Sequence, residues 1–344
     1  MTERPSYILF ITDQQRYDNL GCNGHPVLRT PNIDAIADAG VNYDRFYVAS
    51  PVCMPNRASL MTCRMPSSHG VRSLGIPLSH DNVTFVELMR AAGYDTALIG
   101  KSHLQNVTDW PDKLDPPVQR EGFEAPPDHL SVAVRSDLDN ETYQYEREAF
   151  YSDETAEVPL PFYGFDDYTA VTRHGFNTGG NHARHVRASA PGAFALRSRE
   201  NQFPHDYSCP QAIRTKVPEE HYSTSYIADR TCEFLETRRG NPKPFFLMVS
   251  FPDPHHPFTP PGRYWDMYQP HDMPVPDAYD APDWDAPAYV KIAERNRAED
   301  PSLGQKSGYS VAVSAREAQE ARALTCGMIA MIDDAVGRIR AAAT

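Results

Sequence analysis

The chain has 344 residues, 40% hydrophobic and 23% charged, enough for one large α/β domain or two average ones around a sizeable core. Its 33 Lys and Arg face 46 Asp and Glu, a net charge of −13, which argues against a nucleic-acid footprint and gives an anionic ligand no long-range attraction. No apolar run approaches the roughly 20 residues of a membrane helix or reads as a signal peptide, and Cys22, Cys53, Cys63, Cys209, Cys232 and Cys326 lack Cys-x-x-Cys spacing, so a cytoplasmic protein with reduced thiols is expected, without membrane or nucleic-acid partners.

Tyr7 to Thr12 is a continuous apolar run, the pattern of a strand buried on both faces of a parallel sheet. It ends at Asp13-Gln14, and ligands of open α/β sheets gather at such carboxyl ends. Asp13 is therefore a candidate metal or catalytic carboxylate, with a turn or cap residue as the alternative. Thr30-Pro31 reads as the cap and first turn of a helix stopped at Gly40. Val41 to Val48 reads as a second extended segment, leading into Ser50-Pro51-Val52-Cys53-Met54-Pro55-Asn56-Arg57-Ala58. Proline in a first turn puts Cys53 just ahead of a helix N-terminus, where free N–H groups favour an anion and Arg57 adds a fixed charge. That is a place for a nucleophile and an oxyanion.

Thr84-Phe85-Val86-Glu87 has capping-box spacing and opens an amphipathic helix closed at Gly93. Tyr94 to Gly100 is a further buried-strand pattern, with Lys101 and His103 on one side of the extended chain beyond it. From 105 to 218 the sequence turns polar, proline-rich and weakly periodic, and is expected to be a loop-rich insertion over the active site. Within it His174 and His182 are candidates for substrate contact. A helix from Tyr222 to Gly240 precedes the strand Pro244 to Phe251, which ends in Pro252-Asp253-Pro254-His255-His256-Pro257. Adjacent residues of an extended chain diverge, so one site is expected to use only one of the two histidines.

The stretch around Cys53-x-Pro55-x-Arg57 resembles the signature of the type I sulfatase family, and Gly100-Lys101-Ser102-His103-Leu104 and Pro254-His255-His256-Pro257 resemble further segments of it. The resemblance implies an α/β fold, an alkaline-phosphatase-like three-layer α/β/α sandwich with a mostly parallel central sheet. It implies a sulfuric ester hydrolase in which Cys53 becomes formylglycine through a maturation enzyme, and the hydrated aldehyde attacks the sulfur of a small-molecule sulfate ester. By the same resemblance Arg57, Lys101 and His103 serve the nucleophile and the sulfate, and His255 acts on the leaving group, while His256 is expected to be structural. Asp13, Gln14 and Cys53 are the implied metal ligands, and oxygen-rich ligation suggests a divalent calcium ion first, or Mn²⁺ or Mg²⁺.

Gln14 stands where many sulfatases have a second Asp, and an Asp-Gln pair also occurs in relatives that cleave phosphonate monoesters or phosphodiesters, and in some sulfatases, so the substitution alone does not choose between sulfur and phosphorus. The long helical stretch Ala321 to Ala343 resembles the helix that precedes a strand with an Asp-His metal pair, which does not follow here, so the chain is expected to be the N-terminal catalytic part, truncated before the C-terminal subdomain. Two alternatives are carried: a catalytically incomplete fragment, and a Cys-His hydrolase with Cys53 as a thiol.

Overall fold

A computed structural model describes residues 4–107, 121–122, 138, 140–276, 279, 285–300, 302–303 and 312–344. Parts of the 105–218 stretch, at 108–120, 123–137 and 139, lie outside the described residues. Strands β1 (Tyr7–Ile11), β2 (Asp95–Gly100), β3 (Asp167–Ala170) and β4 (Phe245–Ser250) form one parallel sheet in the order β1-β4-β2-β3. Its register pairs Leu9 with Met248 and Leu98 with Met248, so the three longer strands end level with one another.

The helices in chain order are α1 (Pro31–Ala39), α2 (Cys53–Thr62), α3 (Pro66–His69), α4 (Phe85–Ala91), α5 (Gly180–Ser189), α6 (Pro191–Ala195), α7 (Ser223–Thr237), α8 (Ala288–Glu299) and α9 (Ala315–Ala342). Alternate residues of a strand face opposite layers. Leu98, Phe246 and Met248 pack against Met54, Ala58 and Met61 of α2 and Val86 of α4. Ala97, Ile99, Leu247 and Val249 pack against Ile227, Phe234 and Leu235 of α7 and Ile332, Val336 and Ile339 of α9. The three-layer expectation holds. Each large side chain fully buried in these layers contributes about 1.5–3 kcal/mol of hydrophobic stabilisation.

Sequence and structure part in several places. β3 lies inside the stretch expected to be loop-rich, hydrogen-bonded to β2 as part of the sheet. Val41 to Val48 forms no strand, and Tyr43, Phe46 and Tyr47 are exposed. Among the described residues β1 pairs with β4 alone, leaving its outer edge open. The long helix starts at Ala315, earlier than expected, behind a Ser314–Glu317 capping box.

A further difference concerns α1. Thr30 makes no side-chain cap bond; its hydroxyl donates to Asp34 instead. The cap comes from α9, whose buried Asp333 accepts the amides of Asn32 and Ile33, at 3.1 and 2.8 Å, and the Asn32 side-chain amide at 2.9 Å. A carboxylate at a helix N-terminus satisfies free N–H groups and the dipole together. Asp333→Ala is therefore expected to lower the unfolding free energy by about 1–3 kcal/mol, read from denaturant midpoints at unchanged slope. A loss below about 0.3 kcal/mol would show that solvent replaces the cap without cost.

Candidate active site

Strand ends deliver the buried charges. Asp13 follows β1, Lys101 follows β2, and Asp253 to His256 follow β4. The Asp13 amide donates to the Asp253 carbonyl (3.0 Å) and the Lys101 amide to the Ser250 carbonyl (2.9 Å). Gly100 permits the second approach: at φ 118° a Cβ there would lie 1.9 Å from the Ser250 oxygen.

From α2, the buried Arg57 ties these ends together. Its Nη1 donates to the Lys101 carbonyl (2.7 Å) and Ser250 Oγ (2.9 Å), and its Nη2 to Asp13 Oδ2 (3.2 Å). The Lys101 ammonium donates to the same Oδ2 and to His174 Nε2, both at 2.5 Å. Burial opposes the charge of Asp13, but the Lys101 ammonium and Arg57 guanidinium outweigh it and hold the carboxyl well below the usual carboxylate range. Two cations share one carboxylate, so a positive excess remains in the cradle despite the acidic surface.

Cys53 is the first residue of α2, half-buried and one turn ahead of Arg57. Val52, at the cap position, makes no side-chain cap bond, and the first turn carries no acid. Asn56 Oδ1 accepts the Ala49 amide (3.2 Å), which holds the loop that leads into the helix. The positive end of α2 is thus left to an outside anion.

His255 and His256 do not diverge as an extended chain would require. The chain turns after β4, which brings the two rings to 4.2 Å. His256 Nδ1 sits 3.0 Å from Gln14 Oε1, and the His255 ring stacks on His174 at 3.6 Å. Burial, with the field of Lys101, lowers the His255 pKa to about 4 and that of His174 well below the ordinary imidazole value. Both are therefore neutral at pH 7, and His255 Nδ1 donates to the His256 carbonyl, which leaves Nε2 as a lone pair.

Asp13, His174 and His255 form a candidate metal site, their ligand atoms all within 4.8 Å of one another. Of the residues expected there, Asp13 belongs to this cluster, Gln14 directs its oxygen at His256, and Cys53 lies outside it. The neutral His255 ring offers a lone pair to a divalent ion, whereas the lone pair of His174 Nε2 is already taken by the Lys101 ammonium. The single carboxylate is shared with Lys101 and Arg57, so the described side chains fall short of the roughly 6–8 oxygens of a calcium cage.

His103 is buried, with Nδ1 unpartnered among the described residues. Burial, then Lys101 and Arg57, push its pKa well down. It sits at φ 55°, with Gln14 at 56° and Arg173 at 60°. Left-handed backbone costs a non-glycine residue of order 1–2 kcal/mol, and all three positions adjoin the cradle.

His182 does not join the site. It lies buried on α5, where Nδ1 accepts from Thr178 Oγ1 (2.8 Å) and Nε2 donates to the His221 carbonyl (3.0 Å). His174 was legible only as one of two weak candidates beside a glycine turn, and Glu146, buried behind Lys101 and His103, carried no signal.

The sulfatase family model matches residues 5–344. An arylsulfatase of Clostridium perfringens is 27% identical over 337 residues, 97% of this chain and 58% of that protein. A multifunctional alkaline phosphatase superfamily protein of Trinickia caryophylli is 26% identical over 348 residues, 98% and 59% of the respective chains. The crystal structure of the phosphonate monoester hydrolase of Agrobacterium radiobacter superposes with a TM-score of 0.66 at 25% identity, covering 98% of this chain and 59% of that one. The chain thus spans less than two thirds of the length of these relatives. Among the described residues no helix is long and apolar enough to cross a membrane. With a parallel sheet between helical layers, an alkaline-phosphatase-like α/β fold and a family match over nearly its whole length, the chain belongs to the sulfatase family.

Proposed function

We propose that the chain is the N-terminal catalytic part of a hydrolase that cleaves small sulfate esters through a formylglycine made from Cys53, with a divalent metal held at Asp13. The carrying observation is the buried Asp13–Lys101–Arg57 cradle with its positive excess, placed at the carboxyl ends of β1 and β2 next to the helix that begins at Cys53.

In this reading formylglycine supplies the hydrated-aldehyde oxygen that attacks sulfur, and the metal supplies Lewis acidity toward the transferring oxygens. Lys101 and the open end of α2 stabilise the charge gathering on those oxygens. Arg57, both of whose terminal nitrogens bond protein acceptors, acts through its charge and by holding β2 and β4 in place. His255, half-buried beside Lys101, serves the leaving oxygen. From the 105–218 stretch, the segment around His174 borders the cradle and takes part in choosing the leaving group.

The second reading, a phosphonate monoester or phosphodiester hydrolase with the same nucleophile, is favoured by the likeness to the Agrobacterium radiobacter enzyme, and Gln14 is compatible with it. One experiment separates them. The chain is coexpressed with a formylglycine-generating enzyme, the Cys53 peptide is weighed, and turnover of an aryl sulfate, an aryl phosphonate and an aryl phosphate diester is measured with Ca²⁺, Mn²⁺, Mg²⁺ or a chelator. The sulfate is expected to turn over fastest, about tenfold or more above the others, with loss on chelation. Faster phosphonate cleavage would select the second reading. A converted Cys53 without turnover under any metal would mark the chain as an incomplete fragment.

A further inference from the structure

The arm Lys101–Ser102–His103 is clasped from behind by a segment of the polar stretch. Glu146 is buried, and its Oε1 accepts the amide of His103 at 2.7 Å while its Oε2 accepts that of Gln105 at 2.6 Å. The Tyr168 hydroxyl, on β3, donates to the same Oε1 at 3.3 Å. The clasp is reciprocal: the Gln105 side-chain amide donates to the Thr142 carbonyl (3.0 Å), and its oxygen accepts the Tyr145 amide (2.9 Å). Two short segments, 103–105 and 142–146, therefore exchange side chain for backbone in both directions.

The contact has a specific task. His103 lies in left-handed backbone, which a histidine does not adopt unaided. With its amide turned into a fixed carboxylate, the residue is held in that conformation, and the direction of its side chain follows from it. Glutamine is a poor replacement, because its NH₂ would face one of the two N–H donors.

We infer that Glu146 is the positioning residue of this arm: its carboxylate fixes the turn by which His103 enters the cationic cradle beside Lys101. Its consequence for turnover rests on the hydrolase reading above; its effect on the turn does not.

The test uses the full chain, converted at Cys53, in parent form and as Glu146→Gln, with residue-resolved amide exchange, imidazole nitrogen shifts and kinetics on the preferred aryl ester. The exchange protection of His103 and Gln105 is expected to fall about 10–100-fold while β2 and β4 keep theirs, and the His103 ring shifts are expected to move. kcat is expected to drop about 10–100-fold with KM within about threefold. Unchanged protection at 103 and 105, protection lost equally throughout β2 and β4, or unaltered kcat in a variant whose turn has loosened would each overturn the assignment.

Should Glu146→Gln not fold, Gln105→Ala cuts the reciprocal half and leaves the carboxylate in place. The same local loss of protection at smaller amplitude supports the clasp, and its absence refutes it. A parent that turns over no ester sinks the hydrolase reading, while the exchange pattern and ring shifts still decide this one.

Discussion

Asp13→Ala is expected to cost about 3–5 kcal/mol of stability, because it strips the shared counter-ion from two buried cations at once. Lys101 and Arg57 both direct nitrogens at Asp13 Oδ2 and are almost wholly buried, so neither gains water in exchange. Against a typical total of about 5–15 kcal/mol, such a loss populates the unfolded state measurably. Combining Asp13→Ala with Lys101→Met removes one orphaned charge and is expected to recover part of the loss, a coupling that a double-mutant cycle reads directly. Strict additivity of the two changes would contradict the shared-counter-ion account.

The pH dependence has a definite sign. The folded pKa of Asp13 is depressed, so its stabilisation is full above the unfolded value, about 4, and is lost as pH falls through the lower folded value. The gap between parent and Asp13→Ala, in denaturant midpoints measured from pH 7 downward, is therefore expected to narrow only in strong acid.

Cys53→Ala is expected to abolish ester hydrolysis, by about 10⁴-fold or more, and to leave the fold intact. Cys53 is half-buried at the first position of α2, where alanine is a good helix former and no hydrogen-bonding side chain is lost, so stability is expected to stay within about 0.5 kcal/mol. The cradle of Lys101 and Arg57 is untouched, so binding of inorganic sulfate is expected to persist with a similar dissociation constant, read by calorimetry. Turnover in the alanine variant above about a hundredth of the parent value would show that the attacking oxygen or sulfur comes from elsewhere, and would end the nucleophile assignment.

Much of the framework was legible because it is written locally. Continuous apolar runs marked β1, β2 and β4 to within a residue or so, and the Thr84–Glu87 capping box is present as read. β3 escaped because four residues, Asp167 to Ala170, carry no period of their own; pairing with β2 and the stacking of Tyr168 on Phe162 hold them in place. Val41 to Val48 had the composition of a strand, but among the described residues nothing pairs with it. Strand propensity without a neighbour does not make a strand.

What the sequence by itself determined was which chemical groups stand at which element ends: a carboxylate after β1, a cysteine at the start of α2 with Arg57 one turn on, and a lysine and histidines after β2 and β4. Helix starts and strand ends depend on residues a few positions apart, so spacing alone suffices. Only the tertiary structure decided that Asp13 is shared by Lys101 and Arg57, that His174 enters the site while His182 is buried elsewhere, that Gln14 turns to His256, and that Asp333 caps a helix 301 residues away. Those pairings join segments far apart in the chain, where closing the loop costs entropy that only the packed core offsets, and such a balance leaves no period for a reader of the sequence to find.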